Sequence, residues 1–187
     1  MNNKYLLPRS VNVKYVTDNL DEFLYNCMEL SRYSEDDLYY KVAQRNFLEA
    51  FEFILESPDV ENDYEALCTL HSIMMKNLDA SVKSTLNEDQ IKELSDMINQ
   101  PAKSNTEIAI DVLLYILNKK LFSDGDVRVS LMFANKIMVD NGCGFITIRP
   151  SQDKTFREKM KQYKDNESND FKDWIYGYCI KGPNISY

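Results

Sequence analysis

Within the stretch Lys120-Leu-Phe-Ser-Asp-Gly-Asp-Val-Arg128 lie the side chains best spaced to handle an anion. Asp124 could hold a divalent cation on a phosphate, and Arg128 could pair with the phosphate oxygens. Gly125 permits a turn, and Lys120 adds a second cation. This chemistry requires a helix beginning at the loop, because first-turn N–H groups lack intrahelical acceptors and, with the helix dipole, favour a phosphate or carboxylate. The same residues also read as an ordinary polar helix connection, with Asp124 or Asp126 as a cap and Gly125 at the turn.

The flanking elements fit either use. Ser104 and Glu107 have the spacing of a capping box and open an amphipathic run through Ile108, Val112, Leu113, Ile116 and Leu117. A first helix therefore stops where the loop starts. Beyond the loop, Val129, Met132, Phe133, Ile137 and Met138 repeat at helical spacing as far as Asn141-Gly142, a left-handed terminus. The expectation is that Lys120 and Arg128 lie beside one concave surface at the start of this second helix.

Residues 107–148 resemble the core of the Fic/Doc family, whose motif reads His-x-Phe-x-Asp/Glu-Gly-Asn-Gly-Arg-x-x-Arg between two helices. Phe122, Asp124, Gly125 and Arg128 match at the family's spacing, while Lys120, Asp126, Val127 and Leu131 stand where the family has His, Asn, Gly and Arg. The likeness extends to Tyr64–Leu78, with His71 as the structural histidine of an early helix, and to closing helices over Phe156–Ile180. It implies an all-α, Fic-like helical domain with a minor β element over residues 40–187, preceded by an N-terminal helical extension, residues 1–39, packed on the core. It further implies ATP and Mg2+ as cofactors, Asp124 on the metal, Gly125 and Arg128 on the phosphates, Lys120 in the catalytic position, and a protein as target or partner.

The four departures bear on chemistry. In active relatives the histidine takes a proton from a target hydroxyl, which then attacks a nucleotide phosphate. An ammonium at Lys120 has no lone pair with which to do so. Asp126 brings negative charge toward the phosphates, Val127 removes a glycine where the backbone nears an anion, and Leu131 cannot make the bidentate phosphate contact of an arginine. The expected function is therefore that of a degenerate Fic-like protein, impaired in nucleotidyl transfer and acting by protein or nucleotide binding. The alternative is a divergent nucleotidyl- or phosphoryl-transferase that modifies a protein hydroxyl. Asp79–Leu86 occupies the place of the family's target-pairing flap but is short and polar. Ser31 to Glu35 has the spacing of the family's inhibitory helix, which is a chance match, since Asp36 follows and Leu131 replaces the arginine that such a glutamate engages.

Composition sets outer bounds. The chain has 187 residues, enough for one sizeable core, with 44% hydrophobic residues and a net charge of -8. That charge disfavours a broad nucleic-acid-binding face. Without a membrane-length apolar run or a signal-peptide core, the sequence reads as cytoplasmic. Cys27, Cys68, Cys143 and Cys179 lack metal-ligand spacing; three read as core thiols, and Cys143, between Gly142 and Gly144, as the accessible one.

Elsewhere Leu20, Phe23, Leu24, Cys27 and Met28 make one helical stripe, and Val42, Phe47, Leu48, Phe51, Ile54 and Leu55 a second, ended by Ser57-Pro58. Asn87 and Gln90 open a third helix that stops before Pro101. Phe145–Ile148 reads as a short β segment, and the aromatic tail, Phe171, Trp174, Tyr176 and Tyr178, as the packing face of a last helix.

Overall fold

The computed structural model describes residues 1–32, 38–78, 86–166 and 169–184. The flap region 79–85 and Glu35 of the Ser31 to Glu35 match lie outside the described residues. The described chain is all-α with a minor β element. In order it runs α1 (Arg9–Asp18), α2 (Leu20–Leu30), α3 (Tyr40–Glu56), α4 (Tyr64–Met75), α5 (Glu88–Ile98), α6 (Asn105–Lys119), α7 (Asp126–Asp140), β1 (Phe145–Ile146), a single 3-10 turn at Pro150–Gln152, α8 (Asp153–Asn166), α9 (Asp170–Tyr178) and β2 (Ile180–Lys181).

Helix α7 is the axis of the fold. Every residue from Val129 to Val139 is buried, because α6, α3, α4, α1 and β1 pack around it. A helix covered on all sides must satisfy its polar side chains internally. Asn135 does so with β1: its Nδ2 donates to the Ile146 carbonyl at 2.8 Å and its Oδ1 accepts the Ile146 N–H at 2.6 Å. Lys136, with no solvent exposure, donates to the Val60 carbonyl and to Asp140 Oδ2, both at 2.7 Å. Asp140 in turn receives Arg9 Nε at 3.3 Å and Asn62 Nδ2 at 3.1 Å. One carboxylate thus ties α7 to α1 and to the α3–α4 connection.

The first 32 residues contribute to the same core as the rest. Val16, Phe23, Leu24, Cys27, Met28 and Leu30 belong to one apolar cluster with α3, α4, α6 and α7, and Phe23 stacks on Phe145 with ring centroids 4.5 Å apart. Asn12 Nδ2 donates to the Gly144 carbonyl at 3.0 Å and Asn26 Nδ2 to Thr147 Oγ1 at 3.0 Å, so two buried amides hold the β segment in place.

Several local expectations are met and others are corrected. The Asn87–Gln90 capping box has both of its hydrogen bonds. At Ser104 only the Glu107 N–H to Ser104 Oγ bond forms, 3.2 Å long, and the Glu107 carboxylate instead faces Lys172. The β segment is shorter than Phe145–Ile148: two residues pair antiparallel with Ile180–Lys181, and the Thr147 N–H continues the contact to the Cys179 carbonyl at 2.8 Å. Cys143 is fully buried, not accessible, because Gly142 and Gly144 turn the chain inward at φ +64° and +88°. At Gly142 a Cβ would stand 1.8 Å from the Leu7 carbonyl oxygen, so the approach of the N-terminal segment requires glycine there. Leu48 is 41% exposed and so lies off the buried stripe of α3. In the tail Phe171 is buried, Trp174 and Tyr176 are half-buried, and Tyr178 faces solvent. Among the described residues, no helix is long and apolar enough to cross a membrane.

Candidate functional site

The loop between α6 and α7 lies at one end of the helix pair and forms a wall of a cleft of about 550 Å3. Its shape follows from two left-handed residues. Lys120 ends α6 at φ 50°, ψ 65°, and Gly125 starts α7 at φ 89°, ψ 0°. Between them Leu121 and Phe122 turn into the core. At Gly125 an added Cβ would meet Met75 Sδ at 2.8 Å, so glycine serves both the turn and the packing of α4 against the loop.

Both aspartates bind the loop's own backbone. Asp126 Oδ1 accepts the Phe122 N–H at 3.1 Å, and Asp124 Oδ1 accepts the Gly125 N–H at 2.7 Å. The Asp126 carboxylate also lies in the first turn of α7, where the helix dipole favours negative charge. A resident anion therefore stands at the helix start. Arg128 reaches back from that first turn to Asp124 Oδ2 at 3.3 Å and to Met75 Sδ at 3.1 Å. Its side chain is only 10% exposed, against 65% for Asp124, so Asp124 carries the solvent-facing end of the pair.

The sequence-predicted site residues Lys120, Asp124, Gly125 and Arg128 all line this cleft, as do Asp126 and Val127. Leu131 does not; it is buried in the apolar core. Lys120 is exposed. Among the described residues no three His, Cys, Asp or Glu side chains gather in a group that could hold a metal ion; Asp124 offers one exposed carboxylate, bonded to the Gly125 N–H and to Arg128.

His71 stands behind the loop and is not among the cleft-lining residues. Its ring stacks on Phe122 with centroids 3.8 Å apart and planes 8° apart, and Nε2 lies 3.1 Å from the Asp124 carbonyl oxygen. A carbonyl only accepts, so Nε2 carries the hydrogen. Burial pushes the imidazole pKa down; the Asp124 carbonyl opposes this, Arg128 adds to it, and the Asp124 carboxylate also opposes it. Since the folded-state value lies below the unfolded one, near about 6.5, the unfolded chain binds more protons in the window below that value. Stability is therefore expected to fall as pH drops from 7 through the folded-state pKa, and His71→Gln should flatten that part of the profile in pH-dependent thermal melts. An unchanged slope in the variant would exclude His71 as its source.

The opposite wall consists of residues that the sequence pattern did not single out. Leu30 and Arg32 come from the end of α2, and Arg157 and Met160 from α8. Arg157 donates Nε to Asp153 Oδ1 and Nη2 to the Leu30 carbonyl, each at 2.8 Å. Arg32 adopts φ 60° and places Nη2 at 3.7 Å from Asp153 Oδ2. In sequence, Asp153 and Arg157 look like an ordinary i,i+4 pair on a solvated helix. Only the tertiary packing of α8 beside α2 reveals their position. Compared with models of known protein families and with curated proteins, the chain matches none.

Proposed function

We propose that this chain is a Fic-like protein with a degenerate motif, in which the cleft between the α6–α7 loop and α8 binds an anionic, phosphate-bearing ligand and nucleotidyl transfer is impaired. The observation that carries this reading is the placement of bases and anions around the loop. Lys120 occupies the place where the family's mechanism needs a proton acceptor, and the chain's one histidine is stacked behind Phe122. Asp126, bound to the Phe122 N–H, stands where a phosphate would meet the helix start. What remains for a ligand is a cleft with Arg128 in its wall, from the first turn of α7.

ATP is the ligand to test first. Magnesium, where it accompanies the nucleotide, would be held by Asp124 and would neutralise phosphate charge. The protein acts in the cytoplasm in this reading, in keeping with four free cysteines. It has a protein partner and no nucleic-acid partner, in keeping with its net charge of -8.

The second reading is a divergent nucleotidyl- or phosphoryl-transferase acting on a protein hydroxyl. The common cleft that Lys120, Asp124 and Arg128 line is the observation in its favour. Incubation with labelled ATP, magnesium and a cell lysate separates the two. The expected result is no labelled protein above background. A labelled band that disappears with Asp124→Ala and with Arg128→Gln would replace the first reading by the second.

A further inference from the structure

The cleft reverses the charge of the molecule around it. In a chain of net charge -8, its lining includes Arg32, Lys120, Arg128 and Arg157 against Asp124 and Asp126. A concave surface of one predominant sign focuses the field and raises the local concentration of oppositely charged ligands. On the loop wall each carboxylate is close to the backbone, and Asp126 opposes an anion at the start of α7. The wall formed by α2 and α8 carries two guanidinium groups with one nearby carboxylate, Asp153, between them.

Arg157 is the better prepared of the two. Its side chain is 28% exposed, and contacts to Asp153 and to the Leu30 carbonyl engage Nε and Nη2. These two bonds fix the plane of a group that has five N–H donors. The remaining donors are held in the cleft wall with little side-chain entropy left to lose on binding. Leu30, Leu117 and Met160 supply apolar surface for the uncharged part of a ligand.

We propose that Arg157 is the main phosphate-binding residue of this cleft and that its ligand class is a small diphosphate carrying an apolar or aromatic group. The diphosphate then extends from Arg157 on α8 toward the Arg128 side chain, which reaches into the cleft from the first turn of α7, while Asp126 keeps it off the backbone N–H groups of that turn. Asp153 is a positioning residue that acts through Arg157. This inference rests on the anion-binding function proposed above and adds the wall on which the phosphate is held.

Titration calorimetry with ADP, inorganic pyrophosphate and adenosine tests it on the full chain. The wild type is expected to bind ADP and pyrophosphate and to bind adenosine more weakly. Arg157→Gln is expected to weaken ADP binding about 10- to 100-fold, the loss of a charged hydrogen-bonding group. Arg157→Lys should recover only part of that loss, because an ammonium cannot hold Asp153, the Leu30 carbonyl and a ligand in one plane. Thermal melts of both variants establish that they fold, and the lysine variant carries the test if the glutamine variant does not. Unchanged ADP affinity in a folded Arg157 variant, with affinity lost in Arg128→Gln, would overturn this inference and leave the proposed function standing. Absence of ADP and pyrophosphate binding by the wild type would overturn both.

Discussion

Asp140→Ala is expected to destabilise the fold by about 3–5 kcal/mol, because it leaves the ammonium of Lys136 buried without its counter-charge. The Val60 carbonyl would be its one remaining partner of the two that bind it now. Arg9 would lose the same carboxylate and keep its bonds to the Ile54 and Leu55 carbonyls, and Asn62 would lose its acceptor. Chemical denaturation should show a lower midpoint with little change in slope. Replacing Lys136 together with Asp140, as Lys136→Met with Asp140→Leu, should recover most of the loss, since a buried ion pair replaced by apolar groups of similar size is often neutral. A single Asp140→Ala change that costs less than about 1 kcal/mol would mean that water reaches Lys136.

Asn135→Ala ranks next. The side chain of Asn135 satisfies both the N–H and the carbonyl of Ile146, neither of which it can leave to solvent at that depth. Each orphaned backbone group costs about 1–3 kcal/mol, so the variant should lose several kcal/mol in total. The effect should be strongest on hydrogen exchange around Phe145–Thr147, because Asn135 takes the part of a neighbouring strand for β1. Protection there equal to that of the wild type would show that β1 is held by β2 and the core alone.

These two residues illustrate where the sequence stops being informative. The apolar repeats of α6 and α7 show themselves, since Ile108 to Leu117 and Val129 to Met138 fall at helical spacing and are buried. The Asn87 box is equally visible because its two bonds are local. Asn135, Lys136 and Asp140 look instead like the polar face of an amphipathic helix. Their burial follows from packing on every side of α7, which no local pattern encodes. Helix α1 is hidden for a related reason: Arg-Ser-Val-Asn-Val-Lys has no apolar stripe, and its key contact, Asn12 to the Gly144 carbonyl, joins residues far apart in the chain.

The site divides in the same manner. Lys120, Asp124, Gly125 and Arg128 lie close together in the chain and line one cleft wall. Arg32 in the turn after α2 and Arg157 in α8 come together only in the folded chain, and Arg157 forms its bond to Leu30 across 127 positions. Cys143 reads as accessible because flanking glycines suggest an open turn, whereas in the fold they let the backbone pass inward beneath Leu7.

On the proposed reading, this cleft binds a phosphate-bearing ligand without transferring it. The most direct test of that reading is titration of the intact chain with ATP, with and without magnesium, alongside Arg128→Gln. Saturable binding is expected in the wild type, and binding weakened about tenfold or more in the variant. No heat of binding at millimolar ATP, or equal affinity in wild type and variant, would contradict it.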